Sequence, residues 1–95
     1  MFIGFEQIAT TSSVQTVAAL TIPAGATHAA LQASGQIASY TMDGSTTPTQ
    51  TAGMFLAANA EPTLFLIEDV LRIKFVRGAG SNGVLNIHYS GGRDI

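Results

Sequence analysis

The sequence contains no cysteine and no tryptophan, and only 11% of its 95 residues are charged. Without cysteine, neither a disulfide framework nor a cluster of thiolate metal ligands can form. Charged residues make up about 25% of an average domain, so much of this protein's surface must be neutral. A neutral surface is typical of a protein that is partly covered by neighbours, and we therefore expect an assembly subunit.

Basic residues are also scarce, since Lys and Arg number four against six Asp and Glu, for a net charge of −2. Arg72, Lys74 and Arg77 come closest to a cluster, but alternation along a strand would place Arg77 on the face opposite the other two. Sequence-independent binding to nucleic acid requires clustered Lys and Arg. We therefore expect no nucleic-acid partner.

Long apolar runs are missing as well. The longest, such as LFLI at 64–67, are far shorter than the about 20 residues that a membrane-spanning helix needs. The N-terminal MFIGFEQIAT has no basic residue before its apolar part and includes Glu6, which is unlike an export signal. We expect neither a membrane span nor export through a signal peptide.

What the chain does contain is a series of short apolar or alternating segments, separated by clusters of Gly, Pro, Asn, Asp, Ser and Thr. This pattern predicts an all-β fold, a single small antiparallel β-sandwich of about eight short strands, with a jelly roll as a candidate topology. Helical signals are thin, and only AGMFLAANAEP at 52–62 could hold one turn. The predicted strands are 2–8, 14–22, 28–34, 36–42, 53–56, 63–67, 71–77 and 84–90.

Alternation within these segments predicts which side chains face inward. In the last strand, for example, Leu85, Ile87 and Tyr89 alternate with Asn86 and His88, so we expect His88 to face away from the core. Burying a large apolar side chain is worth about 1.5 to 3 kcal/mol, so a short list of such residues drives folding. The predicted core is Leu20, Ile22, Leu31, Ile73, Phe75, Leu85, Ile87 and Tyr89.

Three segments carry turn chemistry. Pro23 and Gly25 predict a tight turn between the second and third strands, and Asp43-Gly44 predicts a turn after the fourth. In the third segment, RGAGSNGV, Asn82-Gly83 predicts a hairpin between the last two strands. The loop that follows Gly44 is rich in Ser and Thr and stiffened by Pro48, and we interpret it as a structural connection.

Residues that could carry chemistry are few. No serine lies in a G-x-S-x-G elbow, and His28 and His88 belong to different predicted strands. Glu68 and Asp69 are adjacent and could bind calcium if Asp43 or Glu61 approached them, but adjacent acids before a strand are more often solvated turn residues. We predict no catalytic residue, no cofactor and no metal, and the protein is expected not to be an enzyme.

Two long stretches resemble a known family. Residues 20–60 and 70–89 carry a Pro-Ala-Gly turn (Pro23 to Gly25), a D-G loop with Pro-Thr (Asp43 to Thr49), a Gly-hydrophobic-x-Leu segment (Gly53 to Leu56) and a closing pair of strands. This order resembles small proteins encoded among the virion structural genes of tailed bacteriophages.

The resemblance implies a capsid decoration, or cement, protein that binds and stabilises the phage head, as a homotrimer with the major capsid protein as partner. It implies location on the capsid surface of the virion after synthesis in the bacterial cytoplasm. Residues 1–8 and 90–95 could serve as extended arms, and the candidate interface residues are Phe2, Phe5, Arg72, Lys74 and His88. The alternatives are a neck, tail or fibre-base component of the virion, and a lectin-like module that binds calcium or carbohydrate.

Overall fold

The protein folds into eight strands, and the structure, a computed structural model, describes residues 2–91. One-turn helices are the only other regular elements in that part of the chain: a 3-10 helix at Val17–Ala19 and α1 at Ile67–Val70. Neither is long and apolar enough to cross a membrane. The strands are β1 (Phe2–Thr10), β2 (Gln15–Thr16), β3 (Ala26–Ser34), β4 (Ala38–Thr41), β5 (Met54–Leu56), β6 (Thr63–Leu66), β7 (Lys74–Arg77) and β8 (Gly83–Gly91).

The strands form two antiparallel sheets of four. Sheet A has the order β1-β8-β3-β6, and sheet B has the order β2-β7-β4-β5. β1 pairs with β8, β2 with β7, β3 with β6 and β4 with β5. These are the pairs that form when one long antiparallel hairpin rolls into two sheets. This is the strand order of a jelly roll, and the predicted all-β sandwich is confirmed.

The core lies between the inner faces of the two sheets. Six of the eight predicted core residues are buried, namely Leu31, Ile73, Phe75, Leu85, Ile87 and Tyr89. The other two, Leu20 and Ile22, are half-buried and pack against the core from its margin. Tyr40 and Phe65 join the core from the two sheets, with their rings edge to face and centroids 5.6 Å apart.

The prediction of one continuous strand over 14–22 is wrong. Only Gln15–Thr16 forms a strand, and the 3-10 helix follows directly. The Thr16 hydroxyl accepts a hydrogen bond of 3.3 Å from the Ala18 N–H, which caps that helix. The chain therefore leaves the extended conformation before Leu20, and this explains why Leu20 and Ile22 do not reach the centre of the core.

The predicted hairpin between the last two strands is also wrong. β7 belongs to sheet B and β8 to sheet A, so the glycine-rich segment between them crosses the sandwich. Asn82 lies in this crossing and accepts a hydrogen bond from Arg77, whereas Gly83 already belongs to β8. A Cβ on Gly83 would lie 2.9 Å from Cβ of Gln36, so glycine is needed there for close packing rather than for a turn.

The other predicted turns form, and the helical turn lies elsewhere. Ala26 N–H donates to the Pro23 carbonyl at 3.3 Å, and Gly25 and Gly44 have φ of 86° and 78°. The turn at Gly25 leads into β3, but the segment before it is not a strand. The segment 52–62 contains β5 instead of a helical turn, while α1 contains Glu68 and Asp69.

The N-terminal segment is part of the sandwich. The sequence suggested residues 1–8 as an extended arm; Met1 lies outside the described residues, and residues 2–8 are hydrogen-bonded to β8 as an edge strand of sheet A. At the other end of the chain, Ser90 and Gly91 complete β8, and residues 92–95 of the suggested arm lie outside the described residues.

Candidate binding face

The outer face of sheet B is partly covered by the loop that follows β4. Ala38 and Tyr40 point into the core, so the alternation of the strand directs Ser39 and Thr41 outward. Ser39 and Thr41 are nevertheless buried. The Ser39 hydroxyl donates to the Ala52 carbonyl at 3.3 Å, and the Thr41 hydroxyl donates to the Thr46 carbonyl at 2.6 Å. The loop therefore covers β4 on this side of the sandwich, whereas Phe55 of the edge strand β5 remains 44% exposed.

The hydroxyl groups of the same loop are used for its own structure. Asp43 accepts hydrogen bonds from the backbone N–H of Ser45 at 3.0 Å and of Thr46 at 2.8 Å, and also from the Thr46 hydroxyl. These bonds lower the pKa of Asp43 to about 2, and the bond from the Thr46 side chain has the largest effect. Thr49 likewise accepts from the Ala52 N–H at 3.0 Å. The arrangement agrees with the prediction of a structural connection.

The outer face of sheet A is open, and several large apolar side chains lie on it. Phe2 is 66% exposed, Phe5 54%, Leu64 60% and Leu66 48%. The strand register places Phe5 beside His88, His88 beside Ala30, and Ala30 beside Leu64, in one row across all four strands. An exposed apolar row of this kind is a candidate interaction surface.

A β-bulge brings two aromatic rings to the same histidine. The β1–β8 register shifts between Phe2 and Gly4, so that Phe2 and Phe5 reach the same face although they are three residues apart. Their ring centroids lie 5.0 and 4.6 Å from that of His88. The bulge therefore builds a Phe-His-Phe cluster at one side of the open face.

A row of neutral amides runs beside this cluster. The Gln7 amide donates to the Asn86 side-chain oxygen at 2.8 Å, Asn86 donates to the Gln32 side-chain oxygen at 3.4 Å, and Gln32 donates to the Ala60 carbonyl at 2.7 Å. These amides and the rings of Phe5 and His88 line a shallow groove of about 260 Å³. We call the whole surface the docking face; it consists of Phe2, Phe5, Gln7, Ala30, Gln32, Leu64, Leu66, Asn86 and His88, and it contains no Asp, Glu, Lys or Arg.

The structure separates the candidate interface residues that the sequence suggested. Phe2, Phe5 and His88 come together on the docking face. Arg72 and Lys74 lie instead beside the loop after β4, where the Lys74 ammonium donates to the Ser45 carbonyl at 3.4 Å. A Cβ on Gly44 of the same loop would lie 3.8 Å from Cβ of Arg72.

Leu64, Leu66 and the amide row were missed from the sequence. In the segment TLFL, alternation alone allows either Phe65 or the two leucines to face the core. The structure buries Phe65, and both leucines face solvent. The amides carry no sequence motif, because they come together only when β1, β8 and β3 pair.

Glu6 has a structural role that the sequence did not indicate. Its carboxylate accepts a hydrogen bond from the Tyr89 hydroxyl at 2.5 Å and another from the Thr21 backbone N–H at 2.8 Å. Burial raises the pKa of the Tyr89 phenol, and the Glu6 carboxylate raises it further. Glu6 therefore ties β1 and β8 to the segment that precedes β3.

The calcium hypothesis receives no support from the described residues. Glu68 and Asp69 lie in the first turn of α1, and nowhere in residues 2–91 do three or more His, Cys, Asp or Glu side chains form a group that could hold a metal ion. The His28 ring contacts the hydroxyl of its neighbour Thr27 at 2.9 Å, and the His88 ring contacts the tilted rings of Phe2 and Phe5.

No protein-family model matches the chain, no curated protein matches its sequence, and no solved structure matches it.

Proposed function

We propose that the protein is a non-enzymatic structural component of a tailed-bacteriophage particle, a capsid decoration or cement protein that binds the head through the docking face. The observation that carries the proposal is the difference between the two sheets. The chain's own loop covers the strand β4 on the outer face of sheet B, where Phe55 of the edge strand β5 remains 44% exposed, whereas the outer face of sheet A exposes two phenylalanines and two leucines. Large exposed apolar side chains on a small domain mark a surface that a partner covers.

The chemistry of the docking face favours a protein surface as its partner. Its apolar row supplies the buried area that drives association, and its amides can exchange hydrogen bonds with a partner's backbone. Because the face carries no charge, a neutral shell surface can cover it without leaving a buried unpaired ion. The partner that the sequence resemblance implies is the major capsid protein, and the resemblance also implies a homotrimer.

The first experiment asks whether the protein belongs to the particle. Mass spectrometry of purified virions is expected to detect it at a fixed ratio to the major capsid protein. Added to heads assembled without it, the purified protein is expected to bind saturably at that same ratio. Absence from virions would contradict any virion role, whereas presence on tails or necks only would favour the neck, tail or fibre-base alternative.

The amide row favours one second candidate, a module that binds a neutral carbohydrate. Gln7, Gln32 and Asn86 present fixed donors and acceptors beside the Phe5 ring, which is a combination that suits a sugar with hydroxyl groups and an apolar face. Saturation-transfer NMR with neutral oligosaccharides tests it. Transfer that disappears in the Gln32→Ala variant would support this candidate, and no transfer at millimolar sugar would reject it.

A further inference from the structure

The free edge of β1 is long, and its protective features in the described residues are the bulge between Phe2 and Gly4 and the inward-turned Glu6, which leave the segment from Gly4 to Thr10 regular. β1 is nine residues long, whereas the edge strands of sheet B, β2 and β5, have two and three residues. Within residues 2–91 its backbone pairs with β8 alone. It contains no lysine and no proline, the residues that most often block an edge. Its single charge, Glu6, is turned toward Tyr89 and Thr21.

We propose that β1 pairs antiparallel with β1 of a second copy of this chain, so that two sheets A join into one sheet of eight strands. The backbone groups along the free edge supply the hydrogen bonds. The second copy is the occupant because β1 is complementary to itself: its outward side chains are neutral, so a two-fold axis brings no like charges together on that face.

The bulge and the charge of Glu6 select the register. The regular part of β1 runs from Gly4 to Thr10 and has Gln7 at its centre. A two-fold axis at Gln7 pairs this whole segment, with Phe5 opposite Ala9 and Glu6 opposite Ile8. An axis at Glu6 would instead place two carboxylates opposite each other.

The same register extends the amide row. Within the described residues Gln7 donates one hydrogen bond to Asn86, and its side-chain oxygen has no protein partner. With the axis at Gln7, the two Gln7 amides lie opposite each other and can exchange hydrogen bonds, so that the amide row of one copy continues into the other.

Pairing of this kind orients both docking faces in one direction. The two-fold axis is perpendicular to the joined sheet, so the two outer faces form one continuous surface. A dimer could then bind two neighbouring sites on a shell at once, which raises its affinity through effective concentration. The contact itself forms in solution and does not depend on the proposed function.

Single cysteine variants test the contact, because the chain has no native cysteine. Opposite Cα atoms in an antiparallel pair lie about 4.5 to 5.5 Å apart, within disulfide range. Gln7→Cys is therefore expected to form a disulfide-linked dimer under mild oxidation. Position 5 and position 9 lie on the same face, but each would be about 13 Å from the same position in the second copy. Phe5→Cys and Ala9→Cys are therefore expected to remain unlinked. When these two variants are mixed, a heterodimer should form.

Light scattering across a dilution series provides the second measurement on the unmodified chain. An even number of subunits at high concentration, together with the cross-linking pattern, supports the contact. A monomer at all concentrations would overturn it, and so would the homotrimer that the sequence resemblance implies. Equal cross-linking of all three single variants would also overturn it, because random collision does not distinguish the positions.

Discussion

At the residue scale, the hydrogen bond from the Tyr89 hydroxyl to the Glu6 carboxylate joins a buried core residue to the edge strand of sheet A. Tyr89 is 1% exposed and its hydroxyl lies 2.5 Å from the Glu6 carboxylate. Removing the hydroxyl leaves a half-buried carboxylate with one partner fewer, and hydrogen bonds to charged groups contribute about 1.5 to 3 kcal/mol.

We therefore expect Tyr89→Phe to lower the free energy of unfolding at pH 7 by about 1 to 3 kcal/mol, measured by urea denaturation. Tyr40→Phe is the control, because Tyr40 is also buried but its hydroxyl contacts no carboxylate within residues 2–91. The raised pKa of Tyr89 adds a second readout. The folded state favours the neutral phenol, so stability is expected to fall as the pH rises above about 10, where the unfolded phenol ionises. Equal stability of both variants and the native protein would contradict this role.

The lowered pKa of Asp43 predicts that stability also falls in acid, as the pH decreases. Its pKa is lowered to about 2 in the folded protein from 3.8, so its contribution is present above pH 4 and is lost between about pH 4 and 2. Asp43→Asn is expected to reduce the melting temperature at pH 7 and to flatten its decline in that acid range. Glu61→Gln, an exposed change of the same kind, serves as the control. An unaltered acid profile for Asp43→Asn would contradict the assignment.

At the scale of elements, the loop after β4 depends on one glycine. Gly53 has φ of 136°, and a Cβ there would lie 2.7 Å from the Ser39 hydroxyl and 3.1 Å from the Tyr40 carbonyl. Gly53→Ala is expected to destabilise the fold by about 2 kcal/mol or more, because it combines backbone strain with overpacking. Gly80→Ala, where the space is open, should change stability little. Thermal melts compare them, and equal melting temperatures would show that the loop does not cover β4 as described.

Most strand positions were predictable because alternation is a local property, but the strand predicted over 14–22 was not, since a 3-10 helix replaces most of it. His88 was correctly placed outside the core from its neighbours Ile87 and Tyr89 alone. Pairing was less predictable, since the glycine-rich segment before Gly83 has the composition of a hairpin but crosses between sheets. Whether β7 pairs with β8 is decided by the closure of the jelly roll, and that closure depends on contacts between residues that are distant in sequence.

The docking face was only partly predictable for the same reason. Phe2, Phe5 and His88 were expected at an interface, but the contact between their rings requires the bulge at Ile3, which carries no sequence signal. Leu64 and Leu66 belong to a run that could have been buried on either side. Arg72 and Lys74 were also named as candidate interface residues, although the fold places them at the loop beside Gly44.

At the scale of the whole molecule, the proposed role in an assembly rests on the difference in exposure between the two outer faces of this small domain with few charges. The chain's own loop covers β4 on the outer face of sheet B, and we propose that a partner covers the outer face of sheet A. Because the docking face is uncharged, its binding to heads is expected to change less than about threefold between 50 and 500 mM NaCl, since screening acts on charges. Sedimentation of the protein with heads across that range measures it, and a steep loss of binding would indicate that Arg72 and Lys74 carry the interaction instead.

The most direct test of the central claim compares two phenylalanines on opposite sheets. Phe5 is 54% exposed on the docking face, and Phe55 is 44% exposed on β5 of sheet B. Binding of Phe5→Ser and Phe55→Ser to heads assembled without the protein is measured by titration, after circular dichroism has shown that both variants fold. We predict a loss of affinity of about tenfold or more for Phe5→Ser and little change for Phe55→Ser. Equal losses, or a loss only for Phe55→Ser, would contradict the assignment of sheet A as the surface that binds the particle.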